Sequence, residues 1–183
     1  LIFLDESYID FVEKEKCTSL VDVVTTYENT FILRSFTKVF GIPGLRIGYG
    51  IASHRIISLI EKIKIPWNVN SLAQTAAITA LEDKEFLQRT QKSIKKERRF
   101  LHSNLAEIKS FIVYPSEANF LLINVKKTGY TSNQLKERLL AHSILIRDCS
   151  SFKGLDNHYI RVAVRRHDEN EKLLKTLHRL GIT

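Results

Sequence analysis

A carboxylate, a phenol, a lysine, two hydroxyls and an arginine lie close together near the start of this chain, in a pattern that could bind and react with a phosphate-bearing ligand. Asp5-Glu6-Ser7-Tyr8 follows the apolar run Leu1–Leu4, and Ser35-Phe36-Thr37-Lys38 follows a second run, Phe31–Arg34. Short runs rich in Ile, Leu and Phe read as buried strands. Both polar groups are thus predicted at the carboxyl ends of strands, where ligands bind in open α/β sheets. The segment Gly41-Ile42-Pro43-Gly44-Leu45-Arg46 adds glycines that let backbone approach a ligand and a guanidinium suited to clamping phosphate.

The elements that must position these groups alternate. Ser19–Glu28 is a helix candidate between the first two runs, so a βαβ-like succession feeding a parallel sheet is expected, with Ile47–Ala52 as a third strand. Ser53 is placed to cap a helix whose Ile56, Ile57, Leu59, Ile60 and Ile63 fall on one face, and Pro66 stops it. Asn70–Leu81 reads as an alanine-rich helix, and Asp83 opens a longer one reaching about Lys109. Beyond it come strands Phe111–Tyr114 and Asn119–Val125, helix Ser132–His142, strands Ile144–Arg147 and Tyr159–Val164, and a last helix. That helix has capping-box spacing at Asp168 and Glu171 and an end at Gly181. The predicted organisation is α/β over residues 1–70, linking helices over 71–110, and a small α+β domain over 111–183. In the strand Tyr159–Val164, Ile160, Val162 and Val164 share one face, and Arg161 lies on the other.

Composition narrows the partners. The 183 residues are 44% hydrophobic and 26% charged, with 7 Gly and 3 Pro, the balance of a globular protein. No apolar run reaches the ~18–20 residues that cross a bilayer and no leader is recognisable, so a cytoplasmic address without membrane contact is expected. Cys17 and Cys149 lack metal-site or disulfide spacing, which predicts buried free thiols and no metal centre. The net charge of +8 could serve nucleic acid, a membrane surface or phosphorylated substrates. Its densest run, Lys92–Arg99, has no interleaved aromatic residues and reads as a solvated helix face, so nucleic acid is not expected. An opening on Leu1-Ile2-Phe3-Leu4 in a chain without methionine suggests a portion of a longer protein.

Asp5-Glu6-Ser7-Tyr8 together with Arg34-Ser35-Phe36-Thr37-Lys38-Val39-Phe40-Gly41-Ile42-Pro43-Gly44-Leu45-Arg46-Ile47-Gly48-Tyr49 resembles the pyridoxal-phosphate (PLP) enzymes of the aspartate-aminotransferase fold. The resemblance is to the branch holding histidinol-phosphate aminotransferase and threonine-phosphate decarboxylase. It extends through Pro66–Asn70, Glu117–Phe120, Ile146–Cys149 and Tyr159–Val164. It implies part of a large cofactor domain, with a mostly parallel sheet, followed by a small C-terminal domain.

The same resemblance implies roles. Lys38 would form an imine with the cofactor aldehyde, which needs the neutral amine, and an ammonium near Arg46 and out of water loses its proton more easily. Asp5 would pair with the pyridinium nitrogen and keep the ring an electron acceptor. Tyr8 would hydrogen-bond the ring oxygen, while Ser35 and Arg46 would hold the cofactor phosphate. Arg161 would take a substrate carboxylate with both prongs of its guanidinium. Arg147 is a second candidate for carboxylate or phosphate, and Asn119 is placed near the site. The first expectation is decarboxylation of L-threonine O-3-phosphate, in cobalamin biosynthesis; the alternative is histidinol-phosphate aminotransfer, in histidine biosynthesis. A catalytically silent interaction domain is the distant third. The family's earlier half, with its phosphate loop and stacking aromatic ring, is not in this sequence, so these residues alone are expected to be inactive and to need the complete homodimer.

Overall fold

The computed structural model describes residues 1–13 and 19–182, so the thiol expected at Cys17 lies outside the described residues. Two compact units divide the chain, Leu1–Lys92 and Ser93–Thr183.

The first unit carries three strands, β1 (Ile2–Asp5), β2 (Thr30–Ser35) and β3 (Gly48–Ala52), in the order β1-β2-β3. β1 and β2 are parallel, with Ile2 beside Thr30 and Asp5 beside Leu33. β3 departs from the expected parallel arrangement: it runs antiparallel to β2, with Ser35 opposite Gly48 and Phe31 opposite Ala52. Residues 36–47, which join the two strands, hold turns and one 3₁₀ turn at Pro43–Leu45 and no helix of the kind that usually carries a parallel crossover. Side chains alternate across the sheet. Phe3 stacks on Phe31 with ring centroids 5.4 Å apart on one face, while Ile32 is fully buried on the other.

The helix expected over Ser19–Glu28 is not formed. The stretch is made of turns with one 3₁₀ turn at Val24–Thr26, because Val21, Val23, Val24, Thr25 and Thr26 are β-branched and lose side-chain freedom in a helix. Val24 is instead fully buried. Helix α1 (His54–Ile63) begins after Ser53 as expected, but the Ser53 hydroxyl caps nothing and is buried without a hydrogen-bond partner. Helix α2 (Ser71–Glu82) has a working cap, since Asn70 Oδ1 accepts from the Ala73 amide at 2.8 Å, and it buries Ala73 and Ala77. Asp83 breaks the run, accepts from the Phe86 amide at 2.8 Å, and starts α3 (Lys84–Ala106).

The second unit is an antiparallel sheet with helices. Strands β4 (Ile112–Val113), β5 (Phe120–Asn124), β6 (Arg147–Asp148) and β7 (Tyr159–Ala163) lie in the order β4-β5-β7-β6. Leu121, Ile123, Ile160 and Val162 form one buried face with Leu101 and Leu105 of α3, Leu135 and Leu139 of α4 (Ser132–Leu140), and Leu173 and Leu177 of α5 (His167–Arg179). β6 falls later than the expected Ile144–Arg147, because Ile144 and Ile146 belong to this core as irregular chain and only Arg147 and Asp148 reach β7. Asp168 does not cap α5. The helix starts two residues earlier, after Arg166, and Asp168 and Glu169 sit in its first turn, where the dipole favours acids. Gly181, at φ +73°, ends the helix as its type suggests. The Lys92–Arg99 run is only partly a solvated face, since Glu97 and Arg98 are buried within it.

Gly48 faces the Arg34 carbonyl so closely that a Cβ would lie 2.6 Å from its oxygen. Backbone cannot yield as a flexible side chain can, so Gly48→Ala is expected to lose about 1–3 kcal/mol of stability, read from denaturant unfolding.

Candidate active site

Asp5 closes β1 and its carboxylate turns back onto the loop behind it. The Ser7 amide donates to Asp5 Oδ1 at 2.9 Å and the Ser7 hydroxyl donates to the same oxygen. These bonds, with a smaller contribution from the positive charge of Lys38, hold the Asp5 carboxyl below its usual range. Lys38 lies in the turn after β2, with Nζ 5.4 Å from the centroid of the Tyr8 ring. Acid, phenol and amine thus come together at the carboxyl ends of two neighbouring parallel strands.

Ser35 ends β2. Its Oγ stands 2.8 Å from Thr37 Oγ1 and accepts from the Thr37 amide at 3.2 Å. The Phe36 amide donates to the Ile47 carbonyl at 3.3 Å, which sets the turn holding Lys38 beside the segment that carries Arg46. Arg46 is left-handed, at φ 52°, and its Nη1 donates to the Pro43 carbonyl at 3.1 Å. Arg46 is otherwise exposed, on the turn that carries Gly41 and Gly44. An amine next to an acid, with hydroxyls and a guanidinium on the adjacent strand end, fits a cofactor bearing an aldehyde, a basic ring nitrogen and a phosphate.

Sequence reasoning overlooked the residues behind this cluster. Glu6 and Arg34 point to the opposite sheet face from Asp5 and Ser35, by strand alternation. Arg34 donates to Glu6 Oε2 through Nε at 3.1 Å and Nη2 at 3.0 Å. Ser19 Oγ donates to Glu6 Oε2 at 2.7 Å and accepts from Arg34 Nη2 at 2.8 Å, and the Leu20 amide donates to Glu6 Oε1 at 3.2 Å. Burial pushes the Glu6 carboxyl up, but the Ser19, Arg34 and Leu20 bonds outweigh it and leave it below its ordinary value. Asp10 goes the other way. Burial raises its carboxyl and the nearby Arg34 charge only partly offsets this. The signal available in advance was the parallel pairing itself, which sets Glu6 next to Arg34 once Asp5 lies beside Leu33.

In the second unit, Arg161 occupies the face of β7 away from the core and lies directly opposite Arg147 of β6. Each guanidinium rests on an aromatic ring, Arg161 on Phe120 at 4.8 Å and Arg147 on Phe152 at 5.7 Å. Neither is paired with a carboxylate among the described residues, which leaves two like charges facing one another. Asn119 ends the loop before β5, where its carbonyl accepts from the Val164 amide at 2.9 Å. The buried Arg98 braces that loop by donating to the Glu117 carbonyl at 2.7 Å and to the Glu117 carboxylate at 2.8 Å. Cys149 is a buried free thiol, and burial raises its pKa. Among the described residues no cluster of His, Cys, Asp and Glu could hold a metal ion, and no helix is long and apolar enough to cross a membrane.

Such a strand-end lysine and acid, followed by a small α+β unit, is the arrangement of PLP-dependent transferases. The chain belongs to the aminotransferase class I and II family, whose model matches residues 1–177 and whose cofactor is PLP. It is 41% identical to a histidinol-phosphate aminotransferase of Methanococcus aeolicus, over 97% of this chain and 47% of that protein. The crystal structure of the histidinol-phosphate aminotransferase from Clostridium acetobutylicum superimposes with a TM-score of 0.90 at 34% identity, covering 98% of this chain and 54% of that one. The L-threonine-O-3-phosphate decarboxylase structure from Porphyromonas gingivalis gives 0.86 at 30% identity, over 99% and 55%. The chain therefore spans about half the length of the relatives it matches.

Asp10 carries a pH prediction. A carboxyl whose pKa is raised in the folded state opposes folding as pH climbs above the ordinary value of 3.8, and the penalty is absent below it. Asp10→Asn is expected to raise the melting temperature at pH 7, the gain disappearing below about pH 3.8 in a series of melts across pH.

Proposed function

We propose that the full-length protein is a PLP-dependent aminotransferase acting on histidinol phosphate, with Lys38 as the residue that bonds to the cofactor. The observation that carries this reading is the meeting of Lys38, Tyr8 and Asp5 at the ends of β1 and β2. PLP, when bound, supplies an electron sink that weakens the bonds at the substrate α-carbon. The Lys38 amine would carry the proton between the substrate carbon and the cofactor carbon. Asp5, held ionised by Ser7 and Lys38, would keep the ring nitrogen protonated. Tyr8 would bond the ring oxygen, and Ser35, Thr37 and Arg46 would hold the phosphate.

Substrate recognition would fall to Arg161 and Arg147, with Asn119 nearby. A substrate phosphate carries about −1.5 to −2 charge at neutral pH, a match for two facing guanidinium groups that lack a carboxylate partner. A single arginine pair can accept the phosphate of the amine donor and then the carboxylate of the oxo-acid acceptor, since planar guanidinium binds both two-pronged. Decarboxylation of threonine O-3-phosphate is the second reading, and the likeness of the chain to the Porphyromonas gingivalis decarboxylase favours it. The histidinol-phosphate reading stands first because the relatives quoted above at the higher identities carry that name. A homodimer in the cytoplasm accompanies either reading.

Two measurements decide. Borohydride reduction of the full-length protein loaded with PLP is expected to fix the cofactor on the Lys38 peptide, and Lys38→Ala is expected to abolish both adduct and turnover; an adduct elsewhere or none would remove the proposal. Histidinol phosphate with 2-oxoglutarate is expected to yield glutamate, whereas carbon dioxide from threonine phosphate would move the assignment to the second reading. Arg161→Gln is expected to raise KM for the phosphorylated substrate about 10- to 100-fold, the equivalent of losing one hydrogen bond to a charged group.

A further inference from the structure

The Glu6–Arg34 pair is an unusual expense of polar groups for an element so small. Its side chains are only 10% and 17% exposed. Removing two charges from water costs several kcal/mol per ion, and well-packed apolar residues in their place are often neutral or stabilising, so stability alone does not explain the pair. Geometry supplies another reason. Glu6 is the residue after Asp5 and two before Tyr8, and Arg34 is four before Lys38. The Glu6 amide donates to the Leu33 carbonyl at 2.9 Å, extending the β1–β2 ladder by one bond beyond the strand, and the two side chains close over that bond from behind.

We infer that Glu6 and Arg34 are positioning residues, a clamp on the rear of the sheet that fixes how far the Asp5–Tyr8 loop stands from the Lys38 turn. The inference rests on the function proposed above. Neither side chain reaches the face that carries Asp5, so the pair acts only through the strand ends it ties together. Nε and Nη2 of Arg34 converge on a single oxygen, Glu6 Oε2, so the guanidinium meets the carboxylate with two N–H groups at once. Further polar partners restrain it as well: Ser19 bridges both members, the Leu20 amide holds Glu6, and Tyr49 and Asp10 face Arg34. A clamp is needed here because Asp5 and Lys38 are carried by separate strands, and β1 has its ladder partner on one side alone within this sheet.

The test uses the full-length, PLP-loaded enzyme and three variants: Glu6→Gln, Arg34→Lys, and the apolar double replacement Glu6→Leu with Arg34→Met. Displacing reacting groups by about 1 Å can cost on the order of 10²-fold in rate. The double variant is expected to fold and bind PLP, to lose about 10- to 100-fold in kcat with KM within about threefold, and to shift the pH midpoint of the cofactor's visible absorption. Arg34→Lys, which keeps the charge but loses the fork, should fall between it and the parent. A purely structural pair would lower the melting temperature and leave the spectral midpoint in place. If any folded, loaded variant keeps both midpoint and kcat at parental values, the clamp is refuted while the cofactor assignment survives. If the parent itself yields no borohydride-fixed adduct on Lys38, the proposed function fails and the clamp with it. Should the double variant not fold, the two single variants decide by the same midpoint and kcat.

Discussion

The parallel register of β1 and β2 is the constraint that brings Asp5, Tyr8 and Lys38 together. Because Asp5 lies beside Leu33, the two strands end level, and the loops leaving them carry an acid and an amine to the same place. A slip of one residue would reverse every side chain. Asp5 would exchange faces with Glu6, and the carboxylate now near Lys38 would point at Arg34. Pairing of Glu6 with Arg34 on one face and the gathering of Asp5 and Lys38 on the other are thus two outcomes of one ladder of hydrogen bonds.

The second unit obeys a different logic. Its sheet is antiparallel and one face is sealed by three helices, with Leu121, Ile123, Ile160 and Val162 at its centre. That seal leaves the other face to polar work. Arg161 stands there because its neighbours on either side, Ile160 and Val162, are committed to the core, and alternation does the rest. Phe120 and Phe152 give the two guanidinium groups flat surfaces to rest on, which fixes their planes without neutralising them. The first unit encloses Glu6 and Arg34 in a partnered cluster, whereas Arg147 and Arg161 of the second have no carboxylate partner among the described residues.

Much of this was legible in the residue pattern. Strand ends could be read because apolar runs stop abruptly at Asp5 and Ser35, and the α2 boundary because Asn70 is both a good cap and preceded by a proline-containing stretch. The alternation around Arg161 was visible from Ile160, Val162 and Val164. Other features depended on information that local pattern does not contain. The stretch Ser19–Glu28 has helix-like length and apolar spacing, yet β-branched residues tip it toward turns. The direction of β3 follows from the helix-free return through Pro43, not from its own composition. Arg98 looked like one more charge on a basic helix, and only the course of the chain near Glu117 revealed why it is buried. The Glu6–Arg34 pair was hidden for the same reason: its members are 28 positions apart, and no local periodicity connects them.

The facing arginines of β6 and β7 also bear on how this protein behaves in the laboratory. Two like charges held opposite one another repel, and anything anionic that settles on them relieves that repulsion only in the folded state. Folding and anion occupancy would consequently be linked, so an inorganic phosphate or sulfate ion seated there would stabilise this unit, whereas a non-coordinating buffer leaves the repulsion in place. The choice of salt thereby becomes a thermodynamic variable for this unit.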